Sequence, residues 1–136
     1  MNKIPELIKK LKVLYVEDNP EARESTSGLL QIFFPDLVIA IDGEDGYNTF
    51  MHTENKFDIV ISDESMPKMN GVEMLKKIQE HNKDIYTIML SAYANDDFLK
   101  NKTDATINAL LMKPIDINEF TALLKKIEIY FGSVKI

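Results

Sequence analysis

A chain of 136 residues has room for one domain with a two-sided core, and its 45% hydrophobic and 28% charged residues exclude wholesale disorder. Sixteen Lys and Arg (16) against 22 Asp and Glu leave a formal charge of -6, which argues against a nucleic-acid backbone as the main partner. The lack of cysteine removes disulfide, thiol and zinc-knuckle chemistry, and no apolar run approaches the roughly 20 residues that span a bilayer, so a soluble, cytoplasmic protein without a membrane partner is expected.

Met1-Asn2-Lys3-Ile4-Pro5 opens no signal-peptide pattern. Ile4, Leu7, Ile8 and Leu11 recur at helical spacing and predict a short amphipathic lead-in or linker over residues 1–10. Leu11 to Val16 is the first strand, ending in Glu17-Asp18. Asn19-Pro20 then starts a helix, with a capping residue before Pro at the first helical position. That helix runs to about Phe34, buries Ala22, Thr26, Leu29, Leu30 and Phe33, and is ended by Pro35. Leu37 to Ile41 is the second strand, and Gly43 leads into a helix whose Tyr47, Phe50 and Met51 share a face.

The run from Phe57 to Ser62 reads as a buried parallel strand that stops at a polar loop headed by Asp63. In that loop Pro67 cannot continue the strand, and Asn70-Gly71 tolerates positive φ before the helix marked by Val72, Leu75 and Ile78. Ile85 to Leu90 is the fourth strand, followed by Ser91-Ala92. A weakly patterned helix over 95–105 has only Phe98 and Leu99 as its apolar face. Ile107 to Met112 is the fifth strand, closed by Lys113-Pro114. The last helix, 116–131, is marked by Phe120, Leu123, Leu124, Ile127 and Phe131, with 132–136 as a tail. His52 and His81 lack metal-ligand spacing and read as solvated; the methionines read as core fillers, with Met66 and Met69 semi-exposed.

Strands alternating with helices predict an α/β fold: a flavodoxin-like (βα)5 doubly wound parallel sheet of strand order 2-1-3-4-5. That order brings the tips of strands 1 and 3 together, so Glu17, Asp18 and Asp63 converge. Three carboxylates at one point repel each other unless a cation joins them, and Mg²⁺, a hard ion taking oxygen ligands, fits best. Asp63 is then a nucleophile toward a phosphoryl group. Ser91 can hydrogen-bond a phosphoryl oxygen, and Lys113 can pair with it as a point charge. Each residue taken singly also reads as a cap or turn residue; their placement at strand tips on one sheet edge favours the joint reading.

Glu17-Asp18, Asp63 with Met66-Pro67-Lys68-Met69-Asn70-Gly71 behind it, Ser91-Ala92 and Lys113-Pro114 occur in order and at spacing that resembles the receiver domain of two-component response regulators over residues 11–131. The resemblance implies that Glu17, Asp18, Asp63 and the Ser65 backbone carbonyl hold Mg²⁺. It also implies that Asp63 accepts phosphate from a sensor histidine kinase, a phosphotransfer protein or a small phosphodonor, and that Ser91 and Lys113 sense it. The Lys113-Pro114 peptide is usually cis in this family. The switching face would be built from strand 4, the helix after it, strand 5 and the last helix, and would signal to a downstream effector protein or domain. Such a domain is phosphorylated rather than a turnover enzyme.

Three departures from the family pattern stand out. Leu110 occupies the usual aromatic switch position, Thr106-Ile107 replaces a common Gly-Ala, and Glu64 adds negative charge directly after the acceptor. By resemblance, Ser65 and Tyr93 occupy positions that tune loss of the phosphoryl group. The alternative reading is a pseudo-receiver that binds proteins without phosphate. An aspartate-nucleophile phosphatase would want a second acid where Ser65 stands, and a flavin carrier would want a phosphate-cradling loop where the two acids Glu17 and Asp18 lie.

Overall fold

In the computed structural model, residues 4–52, 56–92 and 107–134 are described. Five parallel strands, β1 (Val13–Val16), β2 (Val38–Ala40), β3 (Ile59–Asp63), β4 (Tyr86–Ser91) and β5 (Ala109–Met112), form one sheet in the order β2-β1-β3-β4-β5. This is the flavodoxin-like topology expected from the alternation of strands and helices. The described helices are α1 (Glu6–Lys10), α2 (Pro20–Phe33), α3 (Gly43–Met51), α4 (Gly71–His81) and α5 (Ile117–Val134). The helix expected over 95–105 lies outside the described residues.

Strand side chains alternate between two cores because neighbouring residues point to opposite faces. Val13, Tyr15, Ile59, Ile61, Ile88 and Leu90 face α1, α2 and α5, whereas Leu14, Val16, Val60 and Met89 pack with Met74, Leu75 and Ile78 of α4. Every residue of β3 is buried, as a central strand covered on both faces requires. Burying an Ile or Leu of this kind contributes about 1.5–3 kcal/mol.

Capping side chains start α2, α3, α4 and α5, and of these the sequence reading named Asn19. Asn19 accepts from the Ala22 amide at 2.9 Å with Pro20 following it, Asp42 from Asp45 at 2.7 Å, and Asp116 from Asn118 at 2.7 Å. Asn70 likewise caps α4 through the Glu73 amide at 2.9 Å, with φ of -74°. The left-handed residue in this loop is Lys68, at φ 69°, not the Asn70-Gly71 pair. Gly71 is needed for a different reason: a Cβ there would run into the carbonyl oxygen of Asp63. Close approach to the acceptor strand, rather than a turn, sets that glycine.

The first strand begins two residues later than expected, because Leu11 serves as the C-cap of α1. Five residues of helix are marginal alone. What holds α1 is Ile8, 1% exposed and part of the same core as Phe34 and Phe120. Phe120 in turn meets Phe33 edge-on at 5.2 Å and Phe34 at 6.3 Å, joining α2 to α5 beneath the lead-in. Met66 is buried rather than semi-exposed, whereas Met69 is half-buried. His81 is exposed but lies 3.1 Å from the Tyr47 hydroxyl.

Candidate functional site

The C-terminal tips of β1, β3, β4 and β5 meet at one edge of the sheet. Glu17 leaves β1 with its backbone amide bonded to the Ala40 carbonyl, and its side chain is fully buried. A buried carboxylate is costly unless paired, and both of its oxygens are engaged. Lys113 Nζ donates to Oε1 at 2.8 Å, and the Asn19 amide donates to Oε2 at 3.2 Å. Arg23, on the first turn of α2, donates from Nη1 to the Glu17 carbonyl at 3.0 Å and steadies the same corner. The sequence reading missed Arg23. Its signal was available in retrospect, since a helix capped at Asn19 turns residue 23 back toward the strand that precedes it.

Asp63 ends β3, is 9% exposed, and accepts from Lys113 Nζ at 3.1 Å through Oδ1. Lys113 therefore bridges two carboxylates from different strands. Burial disfavours its charge, but its hydrogen bonds to Glu17 and Asp63 and the attraction of both outweigh that, so its pKa is raised above the ordinary 10.5. Its position is secured by the backbone, because the Lys113 amide donates to the Ser91 carbonyl at 2.8 Å. The Lys113-Pro114 peptide is cis. Glu17, Asp18 and Asp63 each offer an oxygen, all within 4.8 Å of one another. Three carboxylates against one ammonium leave two formal negative charges, a set of hard donors suited to a divalent cation with oxygen preference.

Ser91, fully buried at the end of β4, directs its hydroxyl to Glu64: Oγ donates to Glu64 Oε2 at 3.0 Å. Ser65 is exposed and lines a hollow with Glu64, Asn70 and Val72. Tyr93 lies outside the described residues. Leu110 is half-buried and packs with Ile107 against the core under α4. Directly beneath the acidic corner, the Tyr15 hydroxyl is buried and meets no partner in hydrogen-bonding geometry among the described residues. Burial pushes its pKa up to about 12, with Thr26 pulling the other way.

A family model described as the response regulator receiver domain matches residues 13–125, most of the chain. The chain is a response regulator receiver domain. The receiver is 33% identical over 132 residues to a probable chemotaxis protein CheY of Rhizobium etli, covering 95% of this chain and 98% of that protein. It resembles the solved structure of the response regulator TrrA of Thermotoga maritima in complex with Mg²⁺ and BeF, with TM-score 0.72 and 26% identity over 85% of this chain and 97% of that one. It also resembles a chain of the CheX-CheY-BeF3-Mg²⁺ complex of Borrelia burgdorferi, with TM-score 0.71 and 28% identity over 89% of each. In other curated relatives the receiver matches only a part, spanning 49%, 15% and 14% of their lengths. Among the described residues no helix is long and apolar enough to cross a membrane.

Proposed function

We propose that this receiver is a phosphoacceptor switch in which Asp63 takes a phosphoryl group from a sensor histidine kinase or phosphotransfer protein. The observation that carries this reading is the single ammonium of Lys113 bridging Glu17 at 2.8 Å and Asp63 at 3.1 Å, beside a third carboxylate, Asp18. One side of the pocket is thus a nucleophile with a counter-charge, and the other a set of hard donors.

Glu17, Asp18, Asp63 and the Ser65 backbone carbonyl would hold Mg²⁺, which when bound offsets the charge on the transferring oxygens. Lys113 engages Oδ1 of Asp63 and leaves Oδ2 to attack phosphorus. In that step the carboxylate oxygen forms the new O–P bond, the phosphohistidine N–P bond breaks, and its electron pair stays on the imidazole nitrogen, which takes a proton. The product is an aspartyl phosphate. Lys113 then pairs with a phosphoryl oxygen, and Ser91 donates its hydroxyl to another. The extra charge biases the loops after β4 and β5 and the face they border, where a downstream effector protein would read the change. Direct nucleic-acid contact has no part in this reading.

Incubation with Mg²⁺ and acetyl phosphate, read by intact mass, tests it. Wild type should gain one phosphoryl group, Asp63→Asn none, and wild type with excess chelator none. A folded wild type that gains nothing would instead mark a pseudo-receiver, a protein-binding module that works without phosphate.

A further inference from the structure

We infer that Glu64 is a positioning residue for this phosphotransfer site, holding the Ser91 hydroxyl in the resting receiver and so governing how readily Ser91 turns to a phosphoryl group. The inference rests on Asp63 being the acceptor. Its geometric basis is strand register. Asp63 pairs with Leu90, and the Glu64 amide donates to the Leu90 carbonyl at 3.1 Å, so the next step along both chains sets Glu64 opposite Ser91. Side-chain parity then puts the two on one face: Glu64 follows Val60 and Ser62, and Ser91 follows Met89, on the side covered by α3 and α4. Asp63 and Lys113 belong to the opposite parity, with Ile61 and Leu111.

A serine hydroxyl has one proton to donate. With that proton on Glu64 Oε2 at 3.0 Å, Ser91 cannot also give it to a phosphoryl oxygen on Asp63. The bond to a carboxylate is a charge-assisted one, so it competes with the phosphoryl group rather than merely filling in. The two partners differ in what they lose when it breaks. Ser91 is fully buried and needs an acceptor, whereas Glu64 is only partly buried and can be released to water. Phosphoryl uptake therefore exchanges one anionic acceptor for another at the Ser91 hydroxyl, with Glu64 as the side chain that moves. The carboxylate shifts the resting equilibrium away from the phosphorylated form.

The test compares wild type, Glu64→Ala, Glu64→Gln, Ser91→Ala and the Glu64→Ala/Ser91→Ala double variant. Acetyl phosphate with Mg²⁺, read by intact mass, first establishes that wild type is an acceptor. Calorimetry with Mg²⁺ and BeF3⁻, a phosphoryl mimic, then gives the affinity of each variant. Glu64→Ala should tighten binding by about three- to tenfold, the range expected when one competing hydrogen bond is removed. Glu64→Gln should give a smaller gain, since a neutral amide oxygen still accepts but more weakly. In the Ser91→Ala background the Glu64→Ala change should be worth less than about twofold, because the competition has lost its object. Equal gains in both backgrounds, or no gain in either, would overturn the positioning role while leaving the acceptor reading intact. A wild type that takes up no phosphate would remove both.

Discussion

Lys113 donates to Glu17 across 2.8 Å, although 96 residues separate them in sequence. The contact ties the tip of β5 to the tip of β1 across the intervening β4 and β3, and it places one cation on two of the three clustered carboxylates, Glu17 and Asp63. Replacing Lys113 by Ala should leave Glu17 buried without its ammonium partner. Since the lysine side chain is 23% exposed, the expected loss is about 1–3 kcal/mol, less than for a fully buried pair. Under the proposed function, millimolar Mg²⁺ should recover part of this loss by restoring positive charge, through mass action on the folded state. Urea denaturation with and without Mg²⁺ checks it. A loss that Mg²⁺ leaves unchanged would count against the metal role of the pocket.

Tyr15 predicts a pH dependence with a definite sign. Its hydroxyl pKa stands at about 12 in the folded protein, above the ordinary 10.0, chiefly because burial disfavours the phenolate. The unfolded chain therefore releases this proton first as pH rises. The contribution to stability is complete below pH 10 and is lost as pH climbs from there through about 12. Tyr15→Phe should remove this alkaline component. It should also leave neutral-pH stability unchanged or raise it by about 1 kcal/mol, because the buried hydroxyl it deletes has Thr26 beside it but no partner in full hydrogen-bonding geometry among the described residues. Denaturation midpoints from neutral to alkaline pH, for both proteins, decide the matter.

Two glycines separate close packing from helix propensity. At Gly71 an added Cβ would strike the Asp63 carbonyl and crowd Met89 Cε and Ser62 Oγ, each at 3.1 Å. Gly71→Ala should destabilise by about 1–3 kcal/mol and displace the acceptor loop, slowing phosphoryl uptake as well. Gly28, within α2, has open space around the same position. Gly28→Ala should stabilise by about 0.5–1 kcal/mol without touching uptake. Thermal melts of the two variants, paired with the mass assay, make the comparison.

The lead-in helix carries its own prediction. Ile8 is 1% exposed and packs in the core shared by α2, α5 and the sheet. Ile8→Ala should cost about 2–4 kcal/mol. Glu6→Ala, on the exposed side of the same helix, should stay within about 0.5 kcal/mol, since its contact with Lys9 is a surface pair at 3.8 Å. Equal, small effects at both positions by urea denaturation would make α1 a linker instead of part of the domain's core.

Local patterning alone determined the alternation of strands and helices and the capping residue Asn19. It also determined which side chains stand at strand tips, because periodicity, Pro placement and side-chain chemistry act over a few residues. The same reasoning misassigned the Asn70-Gly71 pair, since only the folded loop shows Gly71 pressed against the Asp63 carbonyl while Lys68 takes the left-handed turn. Nor could it tell that Ile8 joins the main core, that Met66 is buried, or that Arg23 braces the Glu17 backbone. Which partner each polar group meets was decided by tertiary structure. Register set Ser91 against Glu64, parity turned Lys113 and Asp63 the other way, and the crossing order brought Glu17 beside a lysine from the far end of the chain. Those are relations between strands, and a linear pattern of residues carries the composition of each tip without the distances between tips.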